Sequence, residues 1–169
     1  AGIGSAWGNS GSYTGAGTIE ITGGDIKATG ASQAAGIGSC ANSTGDTNII
    51  ISGTAKIEAE GGFSGAGIGS GLNATGKTTV TIDGGTIKAY GGDSGAGIGS
   101  GYKSTGTTTI NITGGTIEAV GGSDAAGIGS GYNSNGTTTI DIGGDAIVKA
   151  QGGSDGAGIG SGSVAAGHT

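Results

Sequence analysis

The stretch AGIGSGYKSTGTTTINITGGTIEAVGGSDA, Ala96 to Ala125, decides the fold. It contains three β-prone segments, AGIGS, TTTINIT and TIEAV, set apart by glycine-marked turns. In the second segment Ile110 and Ile112 fall on one face while Thr109, Asn111 and Thr113 fall on the other, as the two-residue period of a strand requires. In the third, Ile117 and Ala119 share a face and Glu118 opposes them. The same order recurs along the chain. AGIGS begins at Ala1, Ala35, Ala66, Ala96, Ala126 and Ala157, at spacings of 34, 31, 30, 30 and 31 residues. A unit of this length with three short strands reads as one coil of a single-stranded parallel β-solenoid, each strand pairing with its equivalent in the next coil. Units 1–34, 35–65, 66–95, 96–125 and 126–156, with a sixth begun at 157–169, make one all-β solenoid domain over 1–169. At about 4.8 Å per coil the body is roughly 26 Å long. The hand of β-crossovers predicts a right-handed coil. The chain opens inside a repeat, without methionine, and reads as part of a longer protein.

Composition fits a long, narrow core. Glycine supplies 46 of 169 residues, and proline and methionine are absent, which excludes a collagen. At 33%, hydrophobic residues are sparse for an ordinary globular interior. Six basic against twelve acidic residues give a net charge of −6, which disfavours nucleic acid as a partner. No apolar run reaches the roughly 20 residues of a membrane span, so membrane insertion is not expected. Cys40 is the only cysteine and His168 the only histidine, leaving no disulfide framework and no Cys/His metal cluster.

Stacking the units turns single positions into columns. The outward position of the third strand reads Lys27, Glu58, Lys88, Glu118, Lys149, alternating in sign at every step. Opposite charges one strand apart attract and like charges repel, so the column fixes coil-to-coil register. Units 35–65 and 126–156 each carry an extra residue, near Ala55 and Ala146, where bulges are expected. In AGIGS, an inward isoleucine leaves both glycines outward. Gly36, Gly67, Gly97 and Gly127 then form one column and Gly38, Gly69, Gly99 and Gly129 another. Such a bare face suits close approach by a flat polymer or a neighbouring rod; the alternative is that the coil bends or packs tightly there.

Aromatic residues are few. The second residue after AGIGS reads Trp7, Ala41, Leu72, Tyr102 and Tyr132 in the five full units. Trp7, Tyr102 and Tyr132 are candidate platforms for sugar rings, or else side chains covering the rod's edge. The adjoining Asn9, Asn42, Asn73 and Asn133, with Lys103 substituting once, are read as turn residues tolerating a left-handed backbone. A threonine grid of the ice-binding kind is partly met. Thr18, Asn48, Thr79, Thr109 and Thr139 form one column, but Glu20, Ile50 and Asp141 interrupt its partner. Asp93, Asp124 and Asp155 hold loop oxygens of the kind calcium takes, but Asp93 is offset by one position, so no dedicated metal site is expected. Asn42, Asn73 and Asn111 head glycosylation-type triplets. No catalytic residue is assigned: a Ser-His-Asp relay would rest on the penultimate His168, and no insertion forms a cleft for a carboxylate pair.

The recurring GAGIGSG, and segments such as Thr81 to Ala89, resemble the repeats of pectin-lyase-like β-helix modules in extracellular bacterial surface and carbohydrate-binding proteins. The resemblance covers essentially the whole chain. It implies a right-handed β-helix, an extracellular or cell-surface location, and polysaccharide binding assisted by calcium. Lyases among such relatives use an arginine or lysine base beside clustered aspartates; this chain has no arginine and no such cluster. The expectation is a non-enzymatic structural or adhesive module with polysaccharide, or copies of itself, as partner. The alternatives are an end-to-end filament or surface-layer protein, and an ice-binding protein.

Overall fold

A computed structural model describes residues 1–5 and 17–167. In chain order its strands are β1 (Ile3–Gly4), β2 (Gly17–Ile21), β3 (Asp25–Thr29), β4 (Ile37–Gly38), β5 (Thr47–Ile51), β6 (Lys56–Glu60), β7 (Ile68–Gly69), β8 (Thr78–Tyr90), β9 (Ile98–Gly99), β10 (Thr108–Val120), β11 (Ile128–Gly129), β12 (Thr138–Ile142), β13 (Ile147–Gln151) and β14 (Ile159–Gly160). All described pairings are parallel and join each strand to its equivalent one coil away. The two-residue strands stack as one six-stranded sheet, β1-β4-β7-β9-β11-β14, and the longer strands form an eight-stranded sheet. The chain is therefore a parallel β-solenoid with a repeat of about 30 residues and no described helix.

Alternation places the core as expected. Ile49, Ile51, Val80, Ile82, Ile110 and Ile112 are fully buried, while the intervening Ile50, Thr81 and Asn111 are partly exposed. Isoleucine from the AGIGS motif, Ile37, Ile68, Ile98 and Ile128, fills the opposite side of the same cluster. β-Branched side chains stacked on their own copies suit this narrow interior.

The three-strand coil holds in part. In two coils the second and third strands run together as β8 and β10 through Gly84-Gly85 and Gly114-Gly115. Connector length accounts for this. Residues 83–85 and 113–115 are three-residue connectors facing each other, and the ladder passes through them with a register slip around Gly114. Residues 52–55 and 143–146 hold the extra residue, and there the strand is interrupted. The expected bulges near Ala55 and Ala146 are thus four-residue turns. A four-residue connector cannot keep its ladder against a three-residue one, so it closes with Gly53 and Gly144 at φ +66° and +62°. Ala55 turns inward and is fully buried.

The charge column is in the anticipated register: Lys27 opposes Glu58, Glu58 opposes Lys88, Lys88 opposes Glu118, and Glu118 opposes Lys149. Ion pairs close between Lys27 Nζ and Glu58 Oε1 at 2.5 Å and between Lys149 Nζ and Glu118 Oε1 at 3.1 Å. The hydrogen bond and charge of Lys27 hold the Glu58 carboxyl below its ordinary range, and those of Glu58 raise the Lys27 ammonium. Glu58's contribution is therefore complete at neutral pH and is lost as pH falls through its lowered value; Lys27's is lost only as pH rises through its raised one. These groups are exposed, so their main effect is on register. Glu58→Lys sets like charges against Lys27 and Lys88. A lowered melting temperature at low salt is expected, shrinking as salt is added, with Glu58→Gln lying between the variant and the parent. A deficit that salt leaves unchanged would contradict the electrostatic reading.

Candidate functional site: the turn edge

The AGIGS motif determines which surface is available. In each described copy the alanine N–H donates to the serine carbonyl of the same pentapeptide, as in Ala66 to Ser70 at 3.0 Å and Ala96 to Ser100 at 3.1 Å. The motif is a pinched loop with its isoleucine driven into the core. The outward glycine face expected from alternation is absent: Gly36, Gly38, Gly67, Gly69, Gly97, Gly99, Gly127 and Gly129 are all buried. A Cβ on Gly36 would lie 2.7 Å from the carbonyl oxygens of Glu60 and Gly67, and one on Gly97 would lie 2.7 Å from Val120 N. Gly38, Gly69, Gly99 and Gly129 take φ between +135° and +140°, where side chains are disfavoured, and a Cβ there would overlap the carbonyl of the next coil. Tight packing is the reason for the glycines, and they form no contact surface.

Pinching AGIGS inward brings the loop before it and the turn after it together on one edge. Leu72 N donates to Gln33 O at 2.9 Å, Tyr102 N to Ser64 O at 2.9 Å, and Tyr132 N to Ser94 O at 3.0 Å. Tyr102 and Tyr132 stack, with centroids 5.4 Å apart and planes 8° from parallel. The Lys103 ammonium lies over the Tyr102 ring, 5.0 Å from its centroid. The two tyrosines are thus brought together as their spacing implies, but each turns one ring face to the other. A sugar cannot lie flat across both. Trp7, Asn9 and His168 lie outside the described residues.

Asn42, Asn73, Lys103 and Asn133 have φ between 51° and 55°, the left-handed turn role read from the sequence, and Val164 shares it at 55°. Asn73 Nδ2 also donates to Asn42 Oδ1 at 3.3 Å. Beneath this edge, buried serines tie the coils: Ser39, Ser70 and Ser100 Oγ accept from the N–H groups of Gly71, Gly101 and Gly131.

One residue escaped the sequence reading. Phe63, the chain's only phenylalanine, lies on this edge with 63% of its surface exposed. It occupies a column otherwise held by Ser32, Asp93, Ser123 and Ser154. Ser123 Oγ donates to Asp93 Oδ1 at 2.9 Å. One coil away is a largely apolar hollow of about 330 Å³, lined by Ala31, Ser32, Gln33, Ala34 and Ala41. Ser64 N donates to Ser32 O at 3.1 Å, which places Phe63 beside that hollow. The only signal in the sequence was the singular occurrence of phenylalanine.

The sheet face offers a second surface. Thr18, Asn48, Thr79, Thr109 and Thr139 are in register, and Glu20, Ile50, Thr81, Asn111 and Asp141 follow as their partner column. A shallow hollow of about 450 Å³ there is lined by Thr18, Asp46, Asn48, Lys77 and Thr79 among others, with no aromatic ring among the described residues. Among the described residues no three His, Cys, Asp or Glu side chains converge.

The family model for the β-helix repeat matches residues 19–41, 49–72, 80–102 and 110–132, together more than half of the chain. No curated protein and no solved structure matches it. Each match starts within the second strand of one coil and ends in the first turn of the next. Coil-by-coil matches and in-register stacking agree, and the chain belongs to the β-helix repeat family.

Proposed function

We propose that the chain is a non-enzymatic, extracellular β-helix module that holds polysaccharide along its turn edge. The observation that carries this reading is Phe63, an exposed ring beside a shallow apolar hollow on a rigid backbone. Sugar rings have apolar C–H faces and a polar rim, and an aromatic face next to amide and hydroxyl groups matches both. Gln33 and Ser32 supply the polar groups of the hollow, and Tyr102 and Tyr132 extend the apolar line along the rod. A net charge of −6 favours a neutral glycan over a polyuronate. Extracellular placement rests on the likeness of the repeats to those of bacterial surface proteins.

Retention on insoluble neutral polysaccharides and binding to a glycan array test the proposal. Phe63→Ala is expected to weaken binding roughly two- to tenfold, the range of a single aromatic contact. The double change Tyr102→Ala and Tyr132→Ala is expected to weaken it further. No retention of any glycan by the unaltered chain, or undiminished retention by Phe63→Ala, would refute it.

A further inference from the structure

Stacking constrains one exposed turn into a chemically reactive dipeptide. Gly76, Gly106 and Gly136 succeed one another in the turn before the second strand, and a Cβ on Gly136 would overlap the carbonyl oxygen of Gly106. Gly76 and Gly106 meet the same obstruction one coil back, so glycine is required at that place in these three coils. The residue before it is Thr44, Thr75 or Thr105 in three coils and Asn135 in the fifth. Asn135–Gly136 is the only Asn-Gly pair in the chain. Asn135 is exposed, whereas Gly136 is buried.

We infer that Asn135 is a self-modification site, converting to aspartate and isoaspartate in water, and that the closed coil holds this reaction back. In the reaction the Gly136 amide nitrogen loses its proton to hydroxide and attacks Asn135 Cγ. A C–N bond forms, the side-chain nitrogen leaves as ammonia, and a five-membered succinimide results. Water then opens the ring at either carbonyl. The net change is uptake of one water and loss of one ammonia, with no oxidant or cofactor. Glycine at the second place favours ring closure because no side chain hinders the approaching nitrogen.

The fold withholds that nitrogen. The Gly136 N–H donates to Ser104 O at 3.2 Å, and the Asn135 N–H donates to the same carbonyl at 3.0 Å. Asn135 Oδ1 accepts from Ala166 N at 3.1 Å, anchoring the other reacting atom. Attack on Cγ requires the Gly136 nitrogen to leave the Ser104 carbonyl, so reaction requires local opening of this turn. Isoaspartate lengthens the main chain by one atom, which disturbs register with the coils on both sides.

The full chain is incubated in mildly alkaline buffer with and without urea and then mapped by peptide mass spectrometry. Conversion at Asn135 is expected to exceed that at Asn133, which precedes serine. It is expected to be about tenfold or more slower in the folded chain than in urea, because reaction awaits opening. Asn135→Thr, the residue of the equivalent turns, is expected to melt like the parent and to lose this mass gain. The inference fails if Asn135 is unmodified in urea, if Asn133 outruns it, or if folded and unfolded chains react equally fast. All three outcomes are read from the unaltered chain, whatever the variant does.

Discussion

Gly99→Ala is expected to leave the chain without a stable fold, at a cost of more than about 4 kcal/mol, well beyond the usual range for one substitution. Two penalties coincide at this position. The backbone sits at φ +139°, and a Cβ would overlap the carbonyl of Gly129 in the next coil. Holding alanine at such a φ costs of order 1–3 kcal/mol by itself. The overlap adds more, because the obstructing atom is backbone already held in a ladder. Urea unfolding followed by circular dichroism measures the loss. Gly143→Ala is the control: its φ is not positive, and a Cβ there meets nothing within 4 Å. That change is expected to be neutral or to stabilise by about 0.4–1 kcal/mol through a less flexible unfolded chain. Similar melting for the two alanine variants would show that AGIGS is not pinched as described.

Ile110→Ala carries the next largest expected effect, a loss of about 2–5 kcal/mol from the vacated space and lost transfer energy. Ile110 is fully buried, with Val80 and Ile140 as its equivalents in the adjoining coils. Coils touch only their neighbours, so a vacancy weakens two interfaces at once. Thr109→Ala, one residue away on the outer face, is expected to stay within about ±0.5 kcal/mol. The comparison is read from denaturation midpoints at constant slope. A loss at Thr109 equal to that at Ile110 would place the wrong face inward.

Those two pairs also mark where sequence reasoning succeeded and where it stopped. Ile110 and Thr109 were assignable because the segment Thr108 to Ile112 obeys the two-residue alternation and five copies of it repeat the pattern. The charge column was legible for a related reason: Lys27 to Lys149 makes sense only when coils are aligned in register. The same alternation misassigned the glycines. AGIGS contains a residue at φ near +139°, outside the strand region, so counting inward and outward positions across it fails. Unbroken glycine at both places, in a chain that varies elsewhere, was the available hint of backbone contact. Tyr102 and Tyr132 were predictable neighbours because they share a position one coil apart, but their ring orientation depends on torsions that no spacing specifies. Phe63 was missed because columns draw attention to what repeats, and it occurs once.

The pinched AGIGS loop bears on how such a chain can change in length. Each glycine at the second and fourth place meets the same glycine one coil on, so every copy of the motif presents the same lower surface and accepts the same upper one. At this edge a whole coil can be added or removed without a misfit, but a change of one coil sets like charges side by side in the column from Lys27 to Lys149, so only a pair of coils keeps both the glycine ladder and the alternation of charge. Frame-preserving changes of one or two residues inside AGIGS have no such tolerance. The unit in which the rod can lengthen or shorten is therefore two coils, while the coil itself stays fixed.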